Sequence, residues 1–496
     1  MGITGRDPSD PSLPTELVRF SSPAGRWVLA ATVLGSGVAS LDATVVNVAL
    51  PRLGQDLNAD FAGLQWVITA YTLTLASLIL LGGALGDRFG RRRVFCFGLV
   101  WFAVASAACA AAPTIGVLIA ARLVQGVGGA LLTPGSLALL SAAFHPADRA
   151  RAIGAWSGLG GVTTAIGPFV GGWLTGAASW RWIFLLNLPL IAAVLAIAVR
   201  HVPESHDPTA TGRIDGGGAV LGAGGLALTT YALIEQQGVI GVVGVVALVT
   251  FVVVEARTLH PMLPPGIFRN RQFSAANGLT FVVYGALGMV LFLVGLVLQT
   301  ALGYSPIQAG ASLLPITLIM LLFSARSGAL AQRIGPRLQL SVGPVVVGAG
   351  MVLLTRIEPG ATYATTVLPA VVLFGIGLAL TVAPLTATVL AAADVRHAGV
   401  ASGVNNAVAR SAGLLAVAAI PLLTGLNPAA GIDPVALVDG FHTASLIGAA
   451  ACALGGLVGL LAISNSVLSA DGTAQAEPCF HCPLDATPLA VTEADR

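Results

Sequence analysis

Apolar runs of membrane-spanning length, cut by short polar breaks, fill the chain from Trp27 to about residue 463. A helix that crosses a bilayer needs about 20 apolar residues. Fourteen stretches read that way: 27–50, 64–85, 94–112, 115–140, 152–175, 182–199, 216–234, 239–254, 273–298, 309–327, 338–355, 364–390, 398–424 and 441–463. The seventh and eighth are short and separated only by the break EQQG.

The arginines test this count. With the N-terminus in the cytoplasm and the loops alternating, eighteen arginines fall inside and only Arg52, Arg181 and Arg356 fall outside. Arg122, Arg326 and Arg410 lie within spans. Cytoplasmic loops carry such an excess of basic residues, and a span miscounted before the middle would scramble the bias. The expected fold is an all-α polytopic membrane protein with fourteen transmembrane helices and both termini cytoplasmic.

Composition adds an exclusion. Of 496 residues, 56% are hydrophobic and 9% charged, against about 25% charged in a soluble domain. All 24 basic residues are arginine, and the net charge of +2 gives no footprint for nucleic acid. The first 25 residues are polar and read as a cytoplasmic arm, with no signal-peptide pattern.

GALGDRFGRR at 83–92 aligns without gaps to GALAQRIGPR at 328–337, an offset of 245 residues. The copies follow the second and tenth spans, eight helices apart. Two six-helix lobes with two inserted helices satisfy both the count and the offset, as parallel repeats do in one class of secondary transporters. The expected organisation is an arm at 1–25, a lobe at 26–200, inserted helices at 214–255, a second lobe at 272–463 and a cytoplasmic tail at 464–496. No G-x-x-x-x-G-K-[ST] phosphate loop is present to drive an ATP-powered pump. The spans hold no nucleophile–base cluster, which argues against an enzyme. Cys479, His481 and Cys482 make a CFHC cluster in the tail, short of a closed four-ligand zinc site. No metal or cofactor is expected.

Four motifs stand out. Gly83, Gly86, Asp87, Arg88, Gly90, Arg91 and Arg92 form a glycine-rich charged turn, with Asp87 placed to meet the start of the next helix. Arg122 lies inside the fourth span, where a lone arginine costs about 3 kcal/mol on insertion scales. Gly167, Pro168, Gly171 and Gly172 give the fifth helix a face for close backbone approach. Asp42, in LDATVVNVALP, is the only acid deep within a span; Glu235 and Glu255 stand at helix ends.

These stretches resemble the major facilitator superfamily. GALGDRFGRRR is similar to its signature loop, which implies a latch between lobes in the outward-open state. RLVQGVGGA resembles the fourth-helix motif whose arginine is tied to proton transfer, and GPFVGGWL the motif that marks antiporters. WRWIFLLNLP, LDATVVNVALP, GYSPIQAG and NNAVARSAG resemble the fourteen-helix drug:proton antiporter branch. The second latch copy has Gln332 for the acid and Pro336 for an arginine, so a weaker latch is expected there.

The resemblance puts Asp42 near Arg122 and implies export of lipophilic small molecules in exchange for protons, by a monomer in the bacterial inner (plasma) membrane. Asp42, with Thr44 and Asn47 following, is expected to face a polar cleft and carry the proton. Desolvation disfavours its charge and a nearby arginine favours it, a balance that suits loading and release. Glu235 and His442 are the candidates for a second titrating site. A dedicated exporter of one secondary metabolite, and a membrane sensor that does not transport, stay open as alternatives.

Overall fold

The computed structural model describes residues 17–206, 215–258, 261–393, 398–429, 431 and 433–468, and among these it is helical apart from short connections. The CFHC cluster lies outside the described residues. The first half holds α1 (Pro23–Leu57), α2 (Phe61–Phe89), α3 (Arg91–Ala111), α4 (Ile115–Ala143), α5 (Pro146–Ala177), α6 (Trp182–Leu185) and α7 (Asn187–His201). The inserted pair is α8 (Gly216–Ile234) and α9 (Gly238–Arg257). The second half holds α10 (Arg271–Thr300), α11 (Pro306–Ser312), α12 (Leu314–Ile334), α13 (Arg337–Leu354), α14 (Leu368–Ala391), α15 (Ala398–Ala418), α16 (Ile420–Thr424) and α17 (Pro434–Ala462).

Twelve stretches among the described residues are long and apolar enough to span a membrane. The long helices α5 and α15 occupy the places of the fifth and thirteenth expected spans, so fourteen is compatible with the structure. The sixth, tenth and thirteenth spans are each broken into two pieces. The polar breaks seen in the sequence are the residues that satisfy exposed helix starts. Ser22, Asp60, Thr114 and Asp433 each accept a backbone N–H from their own first turn, and Ser305 with Gln308 forms a capping box. Gly90 and Gly335, equivalent positions of the two latch copies, take φ of +105° and +85°, where a side chain is strained.

The basic turns gather at one end of the molecule, the latch end, with residues 83–93, 200–205, 334–337 and 460–465 upon it. Contacts between the halves concentrate toward the opposite, far end. There one apolar core runs unbroken from Val45, Leu50 and Phe61 to Phe292, Val297 and Phe441. Leu159 and Ile166 of α5 and Leu321, Leu322 and Phe323 of α12 are exposed. The inserted pair packs α8 on α2, through Leu226 against Leu73 and Ala76. It turns a valine face of α9, including Val242, Val246 and Val249, outward. A bilayer wets such a face at no cost.

Candidate functional site

Asp42 sits mid-way along α1, 2% exposed, and forms an ion pair with Arg122 of α4, which is fully buried. The carboxylate takes three donors. Arg122 Nη1 reaches Oδ2, while Gln125 Nε2 and Asn187 Nδ2 both reach Oδ1 at 2.9 Å. Ser106 on α3 accepts from the same Gln125 and Asn187 amides, at 2.9 and 3.3 Å. Arg122 is held on three further sides: Nε donates to the Val67 carbonyl at 3.1 Å, Nη1 to Gln125 Oε1 at 2.7 Å, and the guanidinium lies 4.3 Å over the Tyr71 ring. Five helices of one half therefore converge on one carboxylate. A charge this deep persists only when paired and hydrogen-bonded.

Asp42 faces this sealed cluster and not a cleft. Thr44 and Asn47 lie elsewhere, because positions two and five along a helix fall about 200° and 140° round from the first. Thr44 meets Gly167 of α5, and the Asn47 backbone meets Gly295 of α10. Gln125, Asn187, Ser106 and Tyr71 are site residues that sequence reasoning missed. Glu235 and His442 are not brought to Asp42: Glu235 accepts from the Trp66 indole at 3.0 Å, and His442 bonds the Ile357 carbonyl at 2.9 Å.

The antiporter-type motif has two working faces. Gly167 and Gly171 let α5 close on α1 at Thr44 and Val45, where a Cβ would overlap either neighbour. Pro168 and Gly172 face the other half. Gly310 packs on the Pro168 carbonyl and Gly172 on the Pro306 carbonyl, a reciprocal pair of Pro-x-x-x-Gly contacts. Alongside, Gln299 Nε2 donates to the Val48 carbonyl at 2.9 Å and Ala62 N to the Pro428 carbonyl at 2.9 Å. These contacts close the far end.

At the latch turn, Gly83, Gly86, Asp87, Arg88, Gly90, Arg91 and Arg92 carry α2 into α3. The close helix approach falls one residue earlier than expected, at Gly82, where a Cβ would overlap the Ala130 carbonyl; Gly83 and Gly86 have ordinary space. Asp87 pairs with the Arg91 side chain at 2.7 Å. It thus meets the first residue of α3 through that side chain, and the backbone N–H groups of the first turn are capped by another acid. Glu204, from the segment after α7, is that acid, accepting Arg92 N and Arg93 N at 3.0 and 3.2 Å. A carboxylate at a helix N-terminus satisfies free donors and complements the helix dipole. In the second copy the equivalent cap on Arg337 N is Asn465, at 3.1 Å, so an amide stands where the first half has an acid.

That asymmetry predicts unequal mutants. Asp87→Asn lowers transport about threefold or more, the scale of one partly exposed ion pair, and Gln332→Ala leaves it within error. Transport rates at equal expression decide this; equal impairment would refute it.

Residues 32–417 match the family model described as Major Facilitator Superfamily. The chain is 36% identical over 459 residues to a puromycin resistance protein from Streptomyces alboniger, covering 88% of this chain and 90% of that one. It is 33% identical over 404 residues to a tetracenomycin C resistance and export protein from Streptomyces glaucescens, covering 80% and 75%. The fold is similar to a peptide transporter crystallised with sulfate (TM-score 0.66, 14% identity, 89% and 94% covered). It is also similar to a D-xylose-proton symporter (TM-score 0.62, 15% identity, 89% and 98% covered).

Proposed function

The chain belongs to the major facilitator superfamily, whose members are membrane transporters and not enzymes, and from that premise we propose that it exports lipophilic small molecules in exchange for protons. The observation that carries the proposal is the sealed Asp42–Arg122 pair, a titratable carboxylate with no access to bulk water in this state. Resistance and export in the names of the relatives support the direction of transport. The excess of arginine at the latch end supports a cytoplasmic position for it.

The residues suggest the coupling. Protonation removes the charge that holds α1 against α4, and it frees Arg122 to rest on Gln125, Val67 and Tyr71. The other face of α1 carries the far-end gate, through Val48 on Gln299 and Asn47 on Gly295. A change in how α1 seats in its own half therefore reaches the gate directly. Loading a proton from outside and releasing it inside biases which end is closed. The chain works as a monomer, since one pair of halves completes the pathway.

The test uses purified protein in liposomes with ethidium, N-phenyl-1-naphthylamine and 8-anilinonaphthalene-1-sulfonate as probes of different charge. An imposed pH gradient drives at least one of them, and dissipating the gradient abolishes the movement. Transport of every accepted probe at a rate indifferent to the gradient would overturn proton exchange.

A further inference from the structure

The spans hold more positive charge than the proton site uses. Of the three arginines deep within helices, Arg122 is matched by Asp42. Arg326 is exposed on α12 and turns back on its own Leu322 carbonyl at 2.6 Å. Arg410 has no such arrangement. It lies in the middle of α15, which packs against α2 of the first half where Leu80 meets Gly403, and against α10 of the second where Gly288 meets Gly413. Tyr71 from one half and Tyr284 from the other are its electrostatic neighbours. The Arg410 Nε is buried without a hydrogen-bond partner, and no carboxylate pairs with it among the described residues. Among the described residues, every helical carboxylate other than Asp42 (Asp56, Asp87, Asp148, Glu255, Asp439) stands within two turns of a helix end.

We propose that Arg410 is the recognition point for an anionic group on the substrate, so that the transported class is lipophilic anions such as carboxylates or sulfonates. This deepens the export reading and rests on it. An uncompensated guanidinium at the seam between the halves is stabilised by whatever anion enters. The planar guanidinium fork matches a carboxylate or sulfonate with two parallel hydrogen bonds. A cationic substrate would find no free acid at that depth and would meet an unpaired arginine there. The Tyr71 ring carries Arg122, and its hydroxyl bonds the Ala39 carbonyl at 3.1 Å.

The experiment is equilibrium binding to protein in lipid nanodiscs with no gradient, so that it stands apart from proton exchange. The probes are 8-anilinonaphthalene-1-sulfonate and its neutral twin N-phenyl-1-naphthylamine, with empty discs as blanks. The wild type binds the sulfonate at least about tenfold tighter than the twin, the low end for one charge-assisted contact. Arg410→Gln removes that preference with the neutral probe unchanged, and Arg410→Lys keeps most of it. Equal affinities in the wild type, an unchanged sulfonate Kd in Arg410→Gln, or parallel loss of both probes would each overturn the assignment. A retained preference beside gradient-indifferent transport would instead leave the substrate class standing and remove the proton exchange.

Discussion

For a neutral substrate, Asp42→Asn collapses the gradient that the transporter can hold from about a hundredfold to none. A proton entering down about 100 mV releases about 2.3 kcal/mol, and half a pH unit adds about 0.7 kcal/mol. The sum of about 3 kcal/mol sustains a hundredfold gradient at about 1.4 kcal/mol per decade. Among the described residues no other carboxylate stands deep in a helix to take the proton over. The fold tolerates the change because asparagine has the shape and charge of the protonated acid, a form the cycle itself visits. Gln125 and Asn187 still have an oxygen to bond, and Arg122 keeps the Val67 carbonyl and the Tyr71 ring. Passive exchange of labelled for unlabelled substrate therefore continues in the mutant while uphill transport stops. A mutant that still concentrates substrate under a pH gradient would contradict the assignment.

The second large effect concerns the far-end gate. Gly310→Ala puts a methyl group into the Pro168 carbonyl, and Gly172→Ala does the same at Pro306. Overpacking at a closed contact costs about 1–3 kcal/mol, here against one conformation of the cycle only. Each lobe keeps its own core, so thermal stability changes little while transport falls about tenfold or more. Gly176 supplies the control, since it lies one turn further along α5 and a Cβ there meets nothing within 4 Å. Gly176→Ala transports normally. Equal loss at Gly176 and Gly310 would mean that helix propensity, and not the gate, was being measured.

What could be read beforehand follows from what periodicity and charge encode. The membrane class and the repeat were legible, because apolar length and basic loops report on the bilayer directly. Asp42 and Arg122 were legible for the same reason, as charges are conspicuous in apolar runs. Gln125, Asn187 and Ser106 were not, because neutral polar residues are ordinary in spans and their partners depend on how four other helices pack. Glu204 was hidden in a loop after the sixth span, where nothing local points to a helix start more than a hundred residues earlier. The gate was half-visible. PFVGG at 168–172 and PIQAG at 306–310 share Pro-x-x-x-Gly spacing, yet only packing reveals that each glycine sits on the other's proline carbonyl. The breaks in the sixth and tenth spans fall at Leu186 and Leu313, three and two residues before Pro189 and Pro315. Proline has no backbone N–H to bond the preceding turn.

The central claim is that substrate leaves in exchange for a proton carried by Asp42. The most direct measurement loads liposomes with a probe accepted in the transport assay, dilutes them into probe-free buffer at equal pH, and follows internal pH. With wild-type protein, probe efflux drives protons inward and the interior acidifies, whereas Asp42→Asn vesicles show probe movement without a pH change. Alkalinisation of the interior, meaning that protons leave together with the probe, or acidification that persists in Asp42→Asn, would contradict the account.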